Sequence, residues 1–245
     1  MIRTIWLMTF NPPSADRIFA LIPCAGKGNR AGSSLPKQYQ LIGDLPLVVH
    51  TLRAFAAIPR LTHGLLVVAP DDQRMQGLLT DHPQPLFSLA HVGGASRAAS
   101  VLAGLHALVQ QGASSRDWVL VHDAARCLVT PTQINLLIDA CQADAVGGIL
   151  ALPLADTLKQ ETAGRVSATI NRDSKWLAQT PQMFRLGALT AALSNGNEAV
   201  TDEASAMEAM GFAPLLIAGS SHNFKVTYPD DFVLAQAVLK LRAES

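Results

Sequence analysis

Short apolar runs, each stopped by a polar or Gly-rich loop, alternate with longer amphipathic stretches through the first two thirds of the chain. That alternation constrains the fold more than anything else in the sequence. Runs too apolar to face water on either side need helices on both, which is the pattern of a parallel sheet wound by helices on its two faces. Strands are expected at 18–23, 64–69, 86–91, 118–122 and 147–152. Between them, 96–110 places Val101, Leu102, Leu105, Leu108 and Val109 on one face at spacings of three and four, and so predicts a helix. A second helix is expected over 131–141, with Thr130 as N-cap and a proline at its first position. The fold class expected is α/β, doubly wound on a mostly parallel sheet. Open sheets of this kind bind ligands at the carboxyl ends of their strands, so function is sought just after each run.

Around 156–173 the period changes. Val166, Ala168 and Ile170 alternate with Ser167 and Thr169 after a Gly164-Arg165 turn, which predicts a hairpin whose other strand is 156–160. A lone hairpin is marginal in water, so this one must lean on something, and a second copy of the chain is one candidate. Further on, helices are expected at 185–193, 201–210 and 230–241, a short strand at 214–218 and an extended stretch at 223–227. The chain shows no internal repeat and no low-complexity segment.

At 245 residues with 49% hydrophobic and 16% charged residues, the chain is expected to form one soluble domain and not a disordered segment. Nineteen basic residues balance nineteen acidic ones, which argues against coating nucleic acid or an anionic membrane. Any anion must therefore be met locally. No apolar stretch approaches the roughly 18 residues that span a bilayer. Residues 1–17 read as a loose tail in which Met8 offers an alternative start, and 18–245 as a single domain. Cys24, Cys127 and Cys141 are odd in number and unpaired in spacing, which fits a reducing compartment, the cytoplasmic one, and neither disulfides nor a zinc cluster.

Three motifs carry chemistry. The first is the loop after the first strand, in which the backbone of Cys24, Ala25, Gly26 and Gly28, with Gly32 beyond, leaves N–H groups free to approach an anion. Its glycine spacing misses the dinucleotide fingerprint G-x-G-x-x-G by one position, and the Walker pattern is absent. Lys27, Arg30 and Lys37 concentrate positive charge there, which suits a nucleoside triphosphate with its roughly four negative charges. The competing reading is a surface turn with solvated basic residues. The second motif is His122-Asp123-Ala124-Ala125-Arg126, where Asp123 stands at a strand end as the candidate Mg²⁺ ligand or, alternatively, as the N-cap of a turn paired with Arg126. The third is Gly93-Gly94-Ala95-Ser96-Arg97-Ala98-Ala99-Ser100, a Gly pair opening a helix, suited to an anion or a base edge, or simply a helix entry. Thr157, Lys159, Arg172 and Lys225 give by their spacing no reason to be more than solvated surface.

With ALIPCAGKGNRAG, PKQY, GGASRAASVLAGL, VLVHDAARC, GGILALPLADTLK, INRDSKWLAQTPQMF, TDEASAMEAMGF and NFKVTYPDDFVLA in one order, the chain resembles the 2-C-methyl-D-erythritol 4-phosphate cytidylyltransferases over about 18–241. The resemblance implies a nucleotidyltransferase domain, Rossmann-like, with a β-hairpin arm at about 153–176 that crosses to a neighbour in a homodimer. It implies CTP and methylerythritol phosphate as substrates, Mg²⁺ as cofactor and pyrophosphate as product. Carried over by position, Arg30 and Lys37 face the triphosphate, and Arg172 and Lys225 hold the acceptor phosphate. Thr157 and Thr180 lie near the acceptor, Gly94, Ala95, Arg97 and Ser100 hold the cytosine and ribose, and Asp123, with Ala124 and Arg126 beside it, lies near metal and acceptor. Cys24, Ala95, Asn171 and His222 depart from the family's pattern, so only a backbone contact is implied at Ala95. Three other functions fit parts of the sequence: a cytidylyltransferase for another polyol phosphate such as ribitol 5-phosphate, a nicotinamide-dependent dehydrogenase, and a nonenzymatic CTP sensor.

Overall fold

The computed structural model describes residues 16–26, 35–195 and 200–244. Its centre is a seven-stranded sheet in the order β11-β7-β10-β6-β1-β4-β5. Those strands are β1 (Ile18–Pro23), β4 (His63–Val67), β5 (Phe87–Ala90), β6 (Trp118–Val121), β7 (Gly147–Pro153), β10 (Trp176–Arg185) and β11 (Leu215–Ala218). Six run parallel, and β10 alone lies antiparallel between β6 and β7.

The side-chain alternation of β1 divides the core in two. Ile18, Ala20 and Ile22 face α1 (Leu47–Ala56) and α4 (Pro131–Gln142), meeting Leu52, Phe55, Leu137 and Ile138. Phe19 and Leu21 face α3 (Arg97–Gln110) and α5 (Leu186–Ser194), meeting Val101, Leu105 and Leu189. α2 (Arg74–Asp81) adds Met75 to the first of these two core faces. A third apolar group joins Ile42, Cys127, Leu128 and Val226 to Ala235 of α7 (Pro229–Ala243). Ile42 lies in the small ribbon of β2 (Leu41–Ile42) and β3 (Leu45–Pro46). α6 (Glu203–Ala209) packs beside α5.

The expected strands and helices are present with ends moved by at most two residues. The stretch expected to be extended at 223–227 forms no strand, and β10, α1 and α2 were not expected. The arm pairs β8 (Leu158–Thr162) with β9 (Arg165–Ile170). Its turn is Ala163-Gly164, one residue earlier than the expected Gly164-Arg165, because a two-residue connection of this hand needs positive φ at both central positions, found at 52° and 76°. Asp16 and Arg17, assigned by sequence to the tail, are tied to the body. The Arg17 backbone N–H donates to Asp117 at 3.0 Å and its guanidinium pairs with the same carboxylate at 2.7 Å. Met8 and the rest of the expected tail lie outside the described residues. No helix among the described residues is long and apolar enough to cross a membrane.

Candidate active site

The loops at the carboxyl ends of β1, β4, β5 and β6 enclose a cavity of about 600 Å³. From β1 come Cys24, Ala25 and Gly26, from β4 Ala69 and Pro70, from β5 Gly93 through Arg97, and from β6 Asp123 through Ala125, while Lys37, Gln38 and Lys225 close the sides. Two loops meet so closely that a Cβ on Gly93 would sit 2.3 Å from that of Ala25 and 2.7 Å from the Val68 carbonyl oxygen. Only glycine allows that approach. Gln38 donates to the Cys24 carbonyl at 2.8 Å, which pins the turn carrying Lys37 to the start of the Gly loop. Lys37 Nζ donates to the Val226 carbonyl at 2.7 Å.

α3 opens at the cavity. Ser96 caps it by accepting from Ala99 N–H at 3.1 Å, and the Gly94 N–H is engaged by Ser100 Oγ at 3.0 Å. Arg97, in its first turn, donates from Nε to Asp123 Oδ1 at 2.7 Å and from Nη1 and Nη2 to the two oxygens of Glu203 at 2.6 and 2.9 Å. Lys225 Nζ pairs with Asp123 Oδ2 at 2.6 Å. Burial alone would raise the Asp123 carboxyl, but the charges of Arg97 and Lys225 outweigh it and hold the group well below the usual carboxylate range. Burial pushes Glu203 upward against the opposing pull of Arg97. Arg97 meets the converse balance, since burial lowers its pKa while Glu203 and Asp123 more than restore it. Glu203, Arg97, Asp123 and Lys225 thus form a row of alternating charge with only Arg97, Asp123 and Lys225 on the cavity.

Behind Asp123 a neutral relay fixes its backbone. Asp123 N–H donates to Thr180 Oγ1 at 3.0 Å, Thr180 Oγ1 lies 3.1 Å from His122 Nδ1, and His122 Nε2 lies 3.2 Å from the Arg126 carbonyl. A carbonyl only accepts, so the proton sits on Nε2, Nδ1 accepts, and the threonine hydroxyl donates to it. Arg126 donates to the Asn223 and Ala178 carbonyls at 2.7 and 3.1 Å, fastening the loop before Lys225 to β10. Asn223 adds bonds from its amide to the Thr180 carbonyl at 2.9 Å and to Gln179 at 3.3 Å.

Of the residues singled out by sequence, Lys37, Arg97, Asp123 and Lys225 come together on the cavity with Cys24, Ala25, Gly26, Gly94, Ala95, Ser100 and Ala124. Thr180 and Arg126 lie behind it with their donors directed to the contacts above. Thr157 and Arg172 are exposed on the arm and away from this cavity, and Arg172 donates to the Ala155 carbonyl. Gly28, Arg30 and the neighbouring Lys27 and Gly32 lie outside the described residues. Burial and nearby Asp72 push the Cys24 thiol above its ordinary range, which disfavours the thiolate that nucleophilic chemistry would need. Sequence reasoning missed Glu203, Gln38, Gln179 and Asn223. The available signal was only that TDEAS opens a helix and that Arg97 needed a partner.

A mostly parallel sheet whose strand ends carry a Gly-rich loop, a helix N-terminus and convergent cations defines a nucleotide-binding α/β protein. The model of the 2-C-methyl-D-erythritol 4-phosphate cytidylyltransferase (IspD) family matches residues 18–241, and the chain belongs to that family of nucleotidyltransferases. It is 62% identical over 235 residues to a bifunctional IspD/IspF enzyme of Albidiferax ferrireducens, covering 94% of this chain but 56% of that protein. With the 2-C-methyl-D-erythritol 4-phosphate cytidylyltransferase of Laribacter hongkongensis it shares 53% identity, covering 92% of this chain and 97% of the relative. A crystal structure of 4-diphosphocytidyl-2C-methyl-D-erythritol synthase superimposes with a TM-score of 0.81 at 40% identity, over 91% of this chain and 98% of that one.

Proposed function

We propose that this chain transfers the cytidylyl group of CTP to 2-C-methyl-D-erythritol 4-phosphate, giving 4-diphosphocytidyl-2-C-methyl-D-erythritol and pyrophosphate in the non-mevalonate isoprenoid route. The observation that carries the reading is the convergence of Lys37, Arg97 and Lys225 with Asp123 on one cavity in a chain of zero formal net charge. A phosphate oxygen of the acceptor attacks the α-phosphorus. The new P–O bond forms as the bond to the bridging oxygen of pyrophosphate breaks, and the electron pair leaves with pyrophosphate. Two polyanions must meet, so positioning and fixed positive charge are the main demands on the protein.

In this reading the backbone from Cys24 to Gly28 cradles the triphosphate, and Lys37 with Arg30 neutralises charge that grows on the reacting phosphoryl. Gly94, Ala95 and Ser100, with the backbone of Arg97 whose guanidinium is spent on Asp123 and Glu203, form the segment that holds the cytosine and ribose. Lys225 receives the acceptor phosphate together with Arg172 from the arm of a second copy, and Thr157 of that arm approaches the acceptor. Thr180 acts through Asp123, whose N–H it fixes. No side chain need take a proton, because a phosphate dianion is already a nucleophile.

Among the described residues no three His, Cys, Asp or Glu side chains converge as a metal site, and Asp123 is the one acid lining the cavity. Its oxygens each accept one cation and keep further lone pairs. A single ionised carboxylate fits Mg²⁺ of the kind that binds through one or two carboxylates, substrate phosphates and water, with Asp123 as the holding residue. When bound, the ion would supply charge neutralisation at the triphosphate.

The arm supports a homodimer. Both of its strands are exposed, Val166 at 66%, with Leu177 beside it at 53%, and such a hairpin needs a surface to rest on. We take 18–245 as one catalytic domain with the dimerisation arm at about 153–176. Three free, buried cysteines support a reducing, cytoplasmic location, and the balanced charge speaks against nucleic acid or membrane as a partner. The test is an assay of pyrophosphate release with methylerythritol phosphate, CTP and Mg²⁺, omitting each in turn and offering ribitol 5-phosphate in parallel. Turnover only with all three, and none with ribitol 5-phosphate, is expected. Equal turnover without the methylerythritol acceptor would overturn the reading.

A further inference from the structure

Glu203 is a fully buried carboxylate that takes no part in the scheme above and does not line the cavity. Its place is set from the sheet. Gln182 of β10 brackets it, accepting from Ala204 N–H at 2.8 Å and donating to Asp202 at 2.8 Å. Both Glu203 oxygens are bound by Arg97, and no other group among the described residues reaches them.

We propose that Glu203 is a positioning residue, which locks Arg97 onto Asp123 and so leaves Lys225 as the cation of Asp123 that moves to an incoming phosphate. The two cations on Asp123 are held very differently. Arg97 spends Nε on Asp123 and both terminal nitrogens on Glu203. Its departure would leave a buried carboxylate without a partner, the costly way to break a buried pair. Lys225 makes a single ion pair through a flexible stem, with 41% of its side chain exposed. When it leaves, Asp123 still keeps Arg97, so each carboxylate retains a hydrogen-bonded partner although one guanidinium then serves both. The row of alternating charge therefore stores a mobile ammonium at the cavity wall and gives it a return position. The proposal rests on the reading that a phosphate enters this cavity.

The test uses the full chain, ¹⁵N-labelled at arginine, with the Arg97 Nε–H resonance assigned by its loss in Arg97→Lys. In the unaltered protein that proton is expected to be slow to exchange. Glu203→Gln, which removes the charge at equal size, is expected to lose the protection. It should also lower kcat by about 10- to 100-fold while KM for CTP moves by less than about threefold, the pattern of misplaced reacting groups rather than lost binding. Lys225→Ala should keep the Arg97 signal protected, and because it leaves α6 untouched it tests the asymmetry even if Glu203→Gln fails to fold. An Arg97 signal unchanged in Glu203→Gln, or lost in Lys225→Ala, overturns the proposal, as does a kcat for Glu203→Gln within about twofold of the unaltered chain. If the unaltered chain fails to turn over CTP with the methylerythritol acceptor, the functional reading falls, and the two NMR measurements alone decide the role of Glu203.

Discussion

At the scale of single residues the site is a problem of burying charge and polarity without loss. Asp123 remains ionised because two cations offset its desolvation, and its backbone is held by a threonine whose hydroxyl ends on a buried imidazole. That imidazole has a measurable consequence. Burial drives His122 from an ordinary value of 6.5 down to about 3, so it is neutral in the folded protein at any working pH. In the unfolded chain it takes up a proton near 6.5. The unfolded state therefore binds more protons once the pH falls below that value, and stability is lost as pH falls from about 6.5 toward 3. Between pH 7 and 5.5 this one group should cost about 1.3 kcal/mol of folding stability. His50 and His63 shift the same way and add to the slope, while Asp123 and Asp117, held below the ordinary carboxylate range, act only at lower pH. Urea unfolding at the two pH values, for the unaltered protein and for His122→Gln, isolates the term. The difference should shrink by about the stated amount in the variant, and equal slopes would refute the assignment.

The elements show which physics is legible in a sequence. β1 was readable to the residue because a strand buried on both faces is an unbroken apolar run bounded by a polar loop. α4 was readable from Thr130-Pro131, and the cap is there with Gln133 completing it. β10 was not. Its middle carries Gln179, Thr180, Pro181 and Gln182, and the irregular pairing between Ala178 and Gln182 breaks the alternation that marks a strand. Those polar residues are buried because they hold Asp123, α6 and the loop before Lys225, so function erased the pattern. α1 went unread because it is entered through Pro46, which makes no side-chain cap bond to mark the start. Of the site, the Gly loop, Lys37 and Asp123 were legible from spacing and strand position. Lys225 was not, since an exposed cation looks the same whether or not a substrate meets it. The arm turn supplies a prediction at this scale. Ala163 holds a left-handed conformation, at φ 52°, that costs an L-residue roughly 1–2 kcal/mol, and Asn-Gly is the favoured pair for such a turn. Ala163→Asn should slow hydrogen exchange of the 158–170 amides severalfold, whereas Ala163→Pro, with φ held near −65°, should abolish their protection. Equal exchange in all three proteins would contradict the turn.

For the whole molecule, the charge balance and the arm belong together. Nineteen positive and nineteen negative charges leave no general attraction for a polyanion, so cations must be placed. Among the described residues three stand on the cavity, and Arg172 sits on a hairpin that its own chain leaves exposed. If that hairpin completes a neighbour's site, each site draws Lys37 from one copy and Arg172 from the other. Lys37→Ala and Arg172→Ala should then each lose activity alone, about 10²-fold for the lost cation at the reacting phosphoryl, with CTP affinity retained in Arg172→Ala. The two variants combined behave differently from either. In a mixed dimer, the site built on the Arg172→Ala copy has its own Lys37 and receives an intact Arg172 from the partner. The other site lacks both. Random pairing makes half the dimers mixed with one working site each, so co-refolding equal amounts of the two inactive variants should restore about a quarter of normal turnover. Sedimentation of the unaltered chain should give a dimer in parallel. Recovery no greater than the sum of the two variants would mean that each copy supplies its own Arg172, and the arm would then need another explanation.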